Sequence, residues 1–365
     1  MRSFGVRGGH VASALVVWLL AALPVMAQDP APSPSPAPPT IDVSGFVDVY
    51  YGYNFNGVDP KLRTYDVYHN TFSLSLAQVS FAKVPAADSR LGFRTDIDFG
   101  KAADITAASE PDPNGGKEIY KNILQAYASL LTGKVQWDAG KFVSPMGAEV
   151  ITSQDNWNYT RSILFGYAIP FYHLGVRATY NATPKVIAGA MLVNGWNNSS
   201  EINGNKTVQL SLTLKPNASL SWVGNYMVGK ETAGSNIKRN LFDTTLTYTA
   251  TPKLSLMANG DYGKEGAVEW WGIAGYAKYQ VIPAWALIAR YEYLDDTRGG
   301  FMTLDAKGQT LTITSDHLVA GGLRARLEYR TDFADAPTFP SDSGSLKKNQ
   351  TTLTVGLVYA FTGKI

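Results

Sequence analysis

Cysteine is absent from the 365 residues, which excludes a disulfide scaffold and thiolate metal sites. Histidine is scarce too. Of the four, His10 lies in the N-terminal leader, His69 and His173 stand alone without an acid nearby, and His317 lies in a short turn. That leaves neither ligand spacing for a transition metal nor a nucleophile and base set for catalysis, so no catalytic, cofactor-binding or metal-binding residues are assigned and no enzyme is expected. Glycine clusters such as GNG at Gly204 read as turns, because none precedes a helix. Net charge is small: Lys and Arg number 32 against 30 Asp and Glu, for +2, and loss of Arg2 and Arg7 with the leader makes the rest formally neutral. No nucleic-acid partner is expected. Beyond residue 27 there is also no long apolar run, the greasiest window, Val281 to Ala289, being short and interrupted by Pro283.

What is present begins with Arg2 and Arg7, an apolar run from Val11 to Leu23, and small residues ending at Ala27, which read as a cleaved signal peptide over 1–27. Residues 28–40, containing DPAPSPSPAPPT, form a proline-rich disordered tether. A single domain, 41–365, follows.

Its pattern is period-2 alternation. The last segment, TTLTVGLVYAF from Thr351 to Phe361, places Leu353, Val355, Leu357, Tyr359 and Phe361 on one face and small or polar residues on the other. Comparable segments lie at 43–55, 71–83, 90–99, 120–131, 134–142, 172–181, 185–194, 206–214, 218–228, 239–249, 253–263, 268–280, 284–294, 309–315, 319–332 and 350–361. That makes about sixteen strands, within 14 to 18. Short connections, including NATPK, KPNA, ATPK, VIPA and 315–318, alternate with long ones such as 56–69, 101–118, 143–170, 195–205, 295–308 and 333–349. Tyr180, Trp222, Tyr248 and Trp285 gather near the short-turn rim, and Tyr53, Phe55, Phe99, Tyr226, Tyr262, Tyr291 and Tyr293 near the long-loop rim. Two rims of unequal loop length and two aromatic girdles predict an all-β, transmembrane, antiparallel up-and-down barrel with short periplasmic turns and long extracellular loops. The last strand should close it against the first, because an unpaired edge does not survive in lipid.

The faces opposite the apolar ones carry charge: Arg90, Arg94, Asp96, Asp98, Asp138, Arg177, Arg290, Glu292, Arg324, Arg326, Glu328 and Arg330. Each Arg turned to lipid near the midplane would cost about 2–4 kcal/mol, so these twelve are assigned to the lumen as pore-lining residues. The longest loop, 143–170, is too rich in Met146, Ile151, Trp157, Tyr159, Ile163, Leu164 and Phe165 for a solvated tip. It is expected to fold inward and narrow the pore, bringing Glu149, Asp155 and Arg161 toward the lumen.

The segments VSGFVDVYYGYNFN, RTDIDFG, QAYASL, AGKFVSPMGAE, NWNYTRSILFGYAIPFYHLGVR, VNGWN, RYEYLDD, LRARLEYRTD and TTLTVGLVYAF, in this order, resemble the β-barrel porin-2 (OmpL-like) family of outer-membrane proteins across essentially the whole domain. The resemblance implies a porin-like barrel in the outer membrane of a Gram-negative bacterium and carries no catalytic residues. The expected function is passive diffusion of small hydrophilic solutes. Its partners would be outer-membrane lipid, the solutes and the outer-membrane assembly machinery, with a homotrimer as a further possibility. The alternative is a non-conducting structural or adhesive barrel that binds a partner through its extracellular loops.

Overall fold

The computed structural model describes residues 40–108, 110, 120–301 and 306–365. The leader and all but the last residue of the tether lie outside the described residues. Sixteen antiparallel strands close into one barrel. In chain order they are β1 (Asp42–Asn54), β2 (Thr71–Lys83), β3 (Leu91–Phe99), β4 (Ile123–Thr132), β5 (Val135–Val143), β6 (Tyr172–Thr183), β7 (Val186–Val193) and β8 (Thr207–Asn217). Then come β9 (Leu220–Gly229), β10 (Arg239–Thr251), β11 (Leu254–Glu265), β12 (Val268–Ile282), β13 (Trp285–Arg298), β14 (Lys307–Ala320), β15 (Leu323–Ala334) and the closing strand Asn349–Lys364. Each strand pairs with its sequence neighbours, and the closing strand pairs with β15 on one side and β1 on the other, with Tyr50 opposite Gly356 and Val43 opposite Gly363.

The alternation that suggested the strands is the alternation of burial. On the closing strand Val355, Leu357 and Tyr359 are 43–50% exposed, whereas Thr352, Thr354 and Val358, of the opposite parity, are buried. On β1, Val47, Val49 and Tyr53 face out and Asp48 and Asn54 face in. In water such an apolar exterior would drive association; in a bilayer it is the solvated surface, and the closed ladder leaves no backbone donor or acceptor facing lipid. Tyr180 and Tyr248 toward one rim, and Tyr53, Phe55, Phe99 and Tyr262 toward the other, are exposed outward.

Some expected boundaries move, such as the end of β8, which runs to Asn217 through most of the expected KPNA turn. The turn placed at 315–318 is instead at Gly321 and Gly322, with β14 running through Ala320 and a bulge near Leu318. His317 is therefore a strand residue, stacked on Trp285 at 5.6 Å, and not part of a turn. Gly322 has φ +87°, a left-handed conformation that a glycine adopts without strain, so the Gly-Gly pair sets the turn there. In the long connection 101–118, Lys101–Ala108 forms a helix, α1, that the strand periodicity did not anticipate. The connection after β15 holds a small hairpin, Phe339–Pro340 against Leu346–Lys347.

Candidate functional site

The segment joining β5 to β6, residues 144–171, lies against inward-facing side chains on several sides of the barrel. Near its root the Pro145 carbonyl accepts from Asn225 on β9 at 3.4 Å. Further on, Asn158 donates to Thr314 of β14 at 2.7 Å, Tyr159 Oη donates to Asp48 of β1 at 2.7 Å, and the Ala168 carbonyl accepts from Trp270 of β12 at 3.2 Å. The segment has little regular structure, a 3₁₀ turn at Ser153–Asp155 and a π turn at Leu164–Ala168. Its backbone groups are nonetheless largely buried, and buried N–H and C=O groups require partners.

The charged faces of β13 and β15 supply them. Arg326 donates to the Ser153 carbonyl at 2.6 Å and the Asn156 carbonyl at 2.8 Å, Arg290 to that of Thr160 at 2.6 Å, and Arg330 to that of Arg161 at 2.6 Å. Glu328 accepts from the amides of Tyr159 at 2.7 Å and Thr160 at 3.0 Å, and Glu292 from that of Ile163 at 2.7 Å. The guanidiniums are balanced locally: Arg290 pairs with Glu149 at 2.7 Å, Arg330 with Asp332 at 2.8 Å, and Arg326 with Asp316 at 3.3 Å. Arg290, Glu292, Arg326, Glu328 and Arg330 are thus inside the barrel, as their alternation required, but buried beneath the segment rather than open to the lumen.

Space opens on the other side. A cavity of about 430 Å³ is bounded by Ser44, Phe46, Gln78, Ser80, Arg94, Asp96, Gln125, Tyr127 and Arg177 of the wall and by Glu149, Thr152, Gln154 and Asp155 of the segment. Arg94 remains 41% exposed at its side chain while bound to Asp96 at 2.9 Å; Arg177 holds Asp138 at 2.7 Å and keeps 22% exposure. Asp98 is buried and accepts from Gln78 at 2.8 Å, and Arg324 caps Asp316 at 2.6 Å. Arg90 precedes β3, is exposed, and donates from Nε to the Leu131 carbonyl at 2.7 Å. Of the three segment residues, Asp155 is exposed at the cavity and accepts from Thr152 at 2.6 Å, Glu149 is bound to Arg290, and Arg161 turns back on its own segment, onto the Tyr159 carbonyl at 2.6 Å.

Several packing residues escaped the sequence reading. Phe46, Tyr50, Leu76, Met227, Leu241, Trp270, Tyr276 and Leu294 are large apolar residues on the inward faces of wall strands, and they join Met146, Ile151, Tyr159, Ile163 and Leu164 of the segment in one apolar cluster. Their signal was available: an aromatic or aliphatic residue on the otherwise polar face of a barrel strand needs something to pack against. The β1–β2 loop adds Leu62 and Tyr65, and its Arg63 reaches Asp332 at 2.7 Å and Thr352 at 3.0 Å. Tyr65 Oη meets Thr106 of α1 at 2.8 Å. Outside the membrane-spanning strands, a hydrogen bond from Lys121 holds the Asp104 carboxyl of α1 below its ordinary pKa, aided by Lys101 and opposed by slight desolvation.

Among the described residues no three His, Cys, Asp or Glu side chains gather as metal ligands. Solved porins share the architecture. An anion-selective porin from Comamonas acidovorans superposes with a TM-score of 0.62 at 13% identity, covering 88% of this chain and all of that one. The outer membrane channel DcaP of Acinetobacter baumannii gives 0.58 at 16% identity, over 88% and 97%. OmpT of Vibrio cholerae, in its trimer form, gives 0.56 at 15%, over 88% and 99%. At these identities the likeness is one of fold. No curated protein sequence matches. The family model described as beta-barrel porin-2, OmpL-like, matches residues 40–361, and the chain belongs to that family.

Proposed function

We propose that the protein is a passive diffusion channel for small hydrophilic solutes in the outer membrane of a Gram-negative bacterium, exported by a cleaved signal peptide, with segment 144–171 narrowing its pore. A sixteen-stranded wall encloses more space than its own side chains fill. The observation that carries the reading is the anchoring of the segment at Asp48, Trp270, Arg290, Thr314 and Glu328, inward residues of five strands, beside a cavity edged by Arg94, Arg177 and Asp155. Outer-membrane lipid, the assembly machinery and a homotrimer belong to the same proposal; a trimer form is known for the Vibrio cholerae OmpT barrel.

A second reading, a non-conducting barrel that binds a partner through its outer loops, draws on the apolar cluster that joins both loops to the inward aromatics. Planar-bilayer recording separates the two. Discrete conductance steps from folded protein are the expected outcome, and their absence would sink the channel. Deleting 150–165 should raise the unitary conductance by roughly twofold or more, because the lumen of a sixteen-stranded barrel is otherwise an aqueous channel. An unchanged conductance would mean that the segment does not limit flow.

A further inference from the structure

Several acids buried inside this barrel meet a guanidinium, as Asp138 meets Arg177, Asp332 meets Arg330 and Arg63, and Glu149 meets Arg290. Asp243 and Asp261 do not. They are direct cross-strand partners on β10 and β11, both buried, and their carboxyl groups touch. Among the described residues neither pairs with a basic side chain; the amides of Asn225, Asn259 and Gly147 surround them instead. Asn225 donates to Asp243 Oδ1 at 2.6 Å and Asn259 to Asp243 Oδ2 at 3.0 Å. Both carboxylate oxygens of Asp261, and Oγ1 of Thr245 opposite Asn259, have no hydrogen-bond partner.

Two adjacent carboxylates withdrawn from water repel each other unless a proton or a cation lies between them. We propose that Asp243 and Asp261 bind a divalent hard cation, calcium foremost, with Thr245 Oγ1 and the amide oxygens of Asn225 and Asn259 available to complete an all-oxygen shell. The donor set decides the class of ion. With no imidazole or thiolate present, zinc and copper are disfavoured, and an irregular group of carboxylate, amide and hydroxyl oxygens suits calcium better than magnesium, which demands near-octahedral geometry and gives up its waters reluctantly. Terminal amides of Asn225 and Asn259 present oxygen in place of nitrogen by a half-turn.

The position gives the ion a role. The backbone amide of Gly147, at the root of the β5–β6 segment, is directed at Asp243. An ion at the pair would fix the wall where the β5–β6 segment starts across the lumen.

Terbium tests this directly on the folded full-length protein in detergent, because Trp270 is buried, faces inward and stands two positions from Gly272, the cross-strand partner of Asp261. Indole excitation should give saturable terbium emission that calcium displaces. Asp261→Asn and Asp243→Asn, nearly isosteric, should weaken the binding by at least about tenfold, a usual loss when metal coordination is disturbed. Calcium should raise the unfolding midpoint of the wild type against a chelator control, a readout that requires no variant to fold. The proposal is overturned if the wild type shows neither saturable emission nor a calcium-dependent midpoint, in which case the two carboxyls share a proton. It is equally overturned if emission is unchanged in both variants, which puts the ion elsewhere.

Discussion

Arg326 and Arg94 are both arginines on the inward face of a barrel strand, and their surroundings are opposite. Arg326 is buried, with its guanidinium on the carbonyls of Ser153 and Asn156; Arg94 is half-exposed at the edge of a cavity and holds one carboxylate on its own strand. The β13–β15 side of the lumen uses its charges as partners for an irregular backbone, and the β3–β6 side leaves Arg94 and Arg177 partly in water. Inward charge in a barrel of this kind therefore has two uses. If the barrel conducts as proposed, its sign should bear on permeation only on the side that the segment does not cover.

Removing Glu328 should break this comparison most severely. Glu328→Gln takes the charge from an acceptor of two buried amides, those of Tyr159 and Thr160, beside buried arginines, and losing one member of such a network costs about 3–5 kcal/mol. The expected outcome is faster proteolysis within 150–165 and noisier, larger conductance, with the barrel itself intact by its resistance to unfolding in detergent at room temperature. A steric version leaves every charge in place. Gly356 lies under the Tyr159 ring, where an added Cβ would come within 2.4 Å of it, so Gly356→Val should displace the segment at about 1–3 kcal/mol, the usual cost of overpacking. Conductance should rise here too, while a wild-type conductance would show that Tyr159 is not a anchoring contact.

On the open side the effect is smaller and concerns selectivity. Arg94→Gln together with Arg177→Gln should shift the reversal potential in a salt gradient toward cations, by about twofold in relative permeability, since a local field changes the ion concentration at the cavity. Arg326→Gln should change stability more than selectivity; a larger selectivity shift from Arg326 than from Arg94 and Arg177 would reverse the comparison. The smallest effect belongs to Asp104. Its depressed pKa means that its contribution is present above the pKa of an unfolded aspartate and is lost as pH falls through the lower folded value. Its ion pairs are exposed, and exposed pairs contribute little, so Asp104→Asn should leave the unfolding midpoint at neutral pH unchanged within error.

Much of the wall was legible. Strand number, the β1 seam with the closing strand and the facing of residues such as Val355 and Thr354 follow from a period of two, because lipid and lumen impose opposite chemistry on successive side chains. The turn after β14 was misplaced because Leu318 and Val319, both exposed, break the alternation at a bulge, and the glycines at 321 and 322 were passed over. Helix α1 is short, and its sequence, KAADITAA, carries no strand pattern and little helical one. Within the candidate site, the inward direction of Arg290, Arg326 and Arg330 was readable; their burial was not, since it depends on a segment more than a hundred residues away in sequence.

By itself, then, the sequence determined a barrel and which side chains of its wall face in, because strand geometry ties facing to parity between one bulge and the next. Only the tertiary structure decided which inward charges meet water and which meet the backbone of 144–171, and that Asp243 and Asp261 come together with no basic partner among the described residues. Those outcomes depend on where a loop without periodicity comes to rest, and that is fixed by long-range packing and by the need to pair every buried polar group.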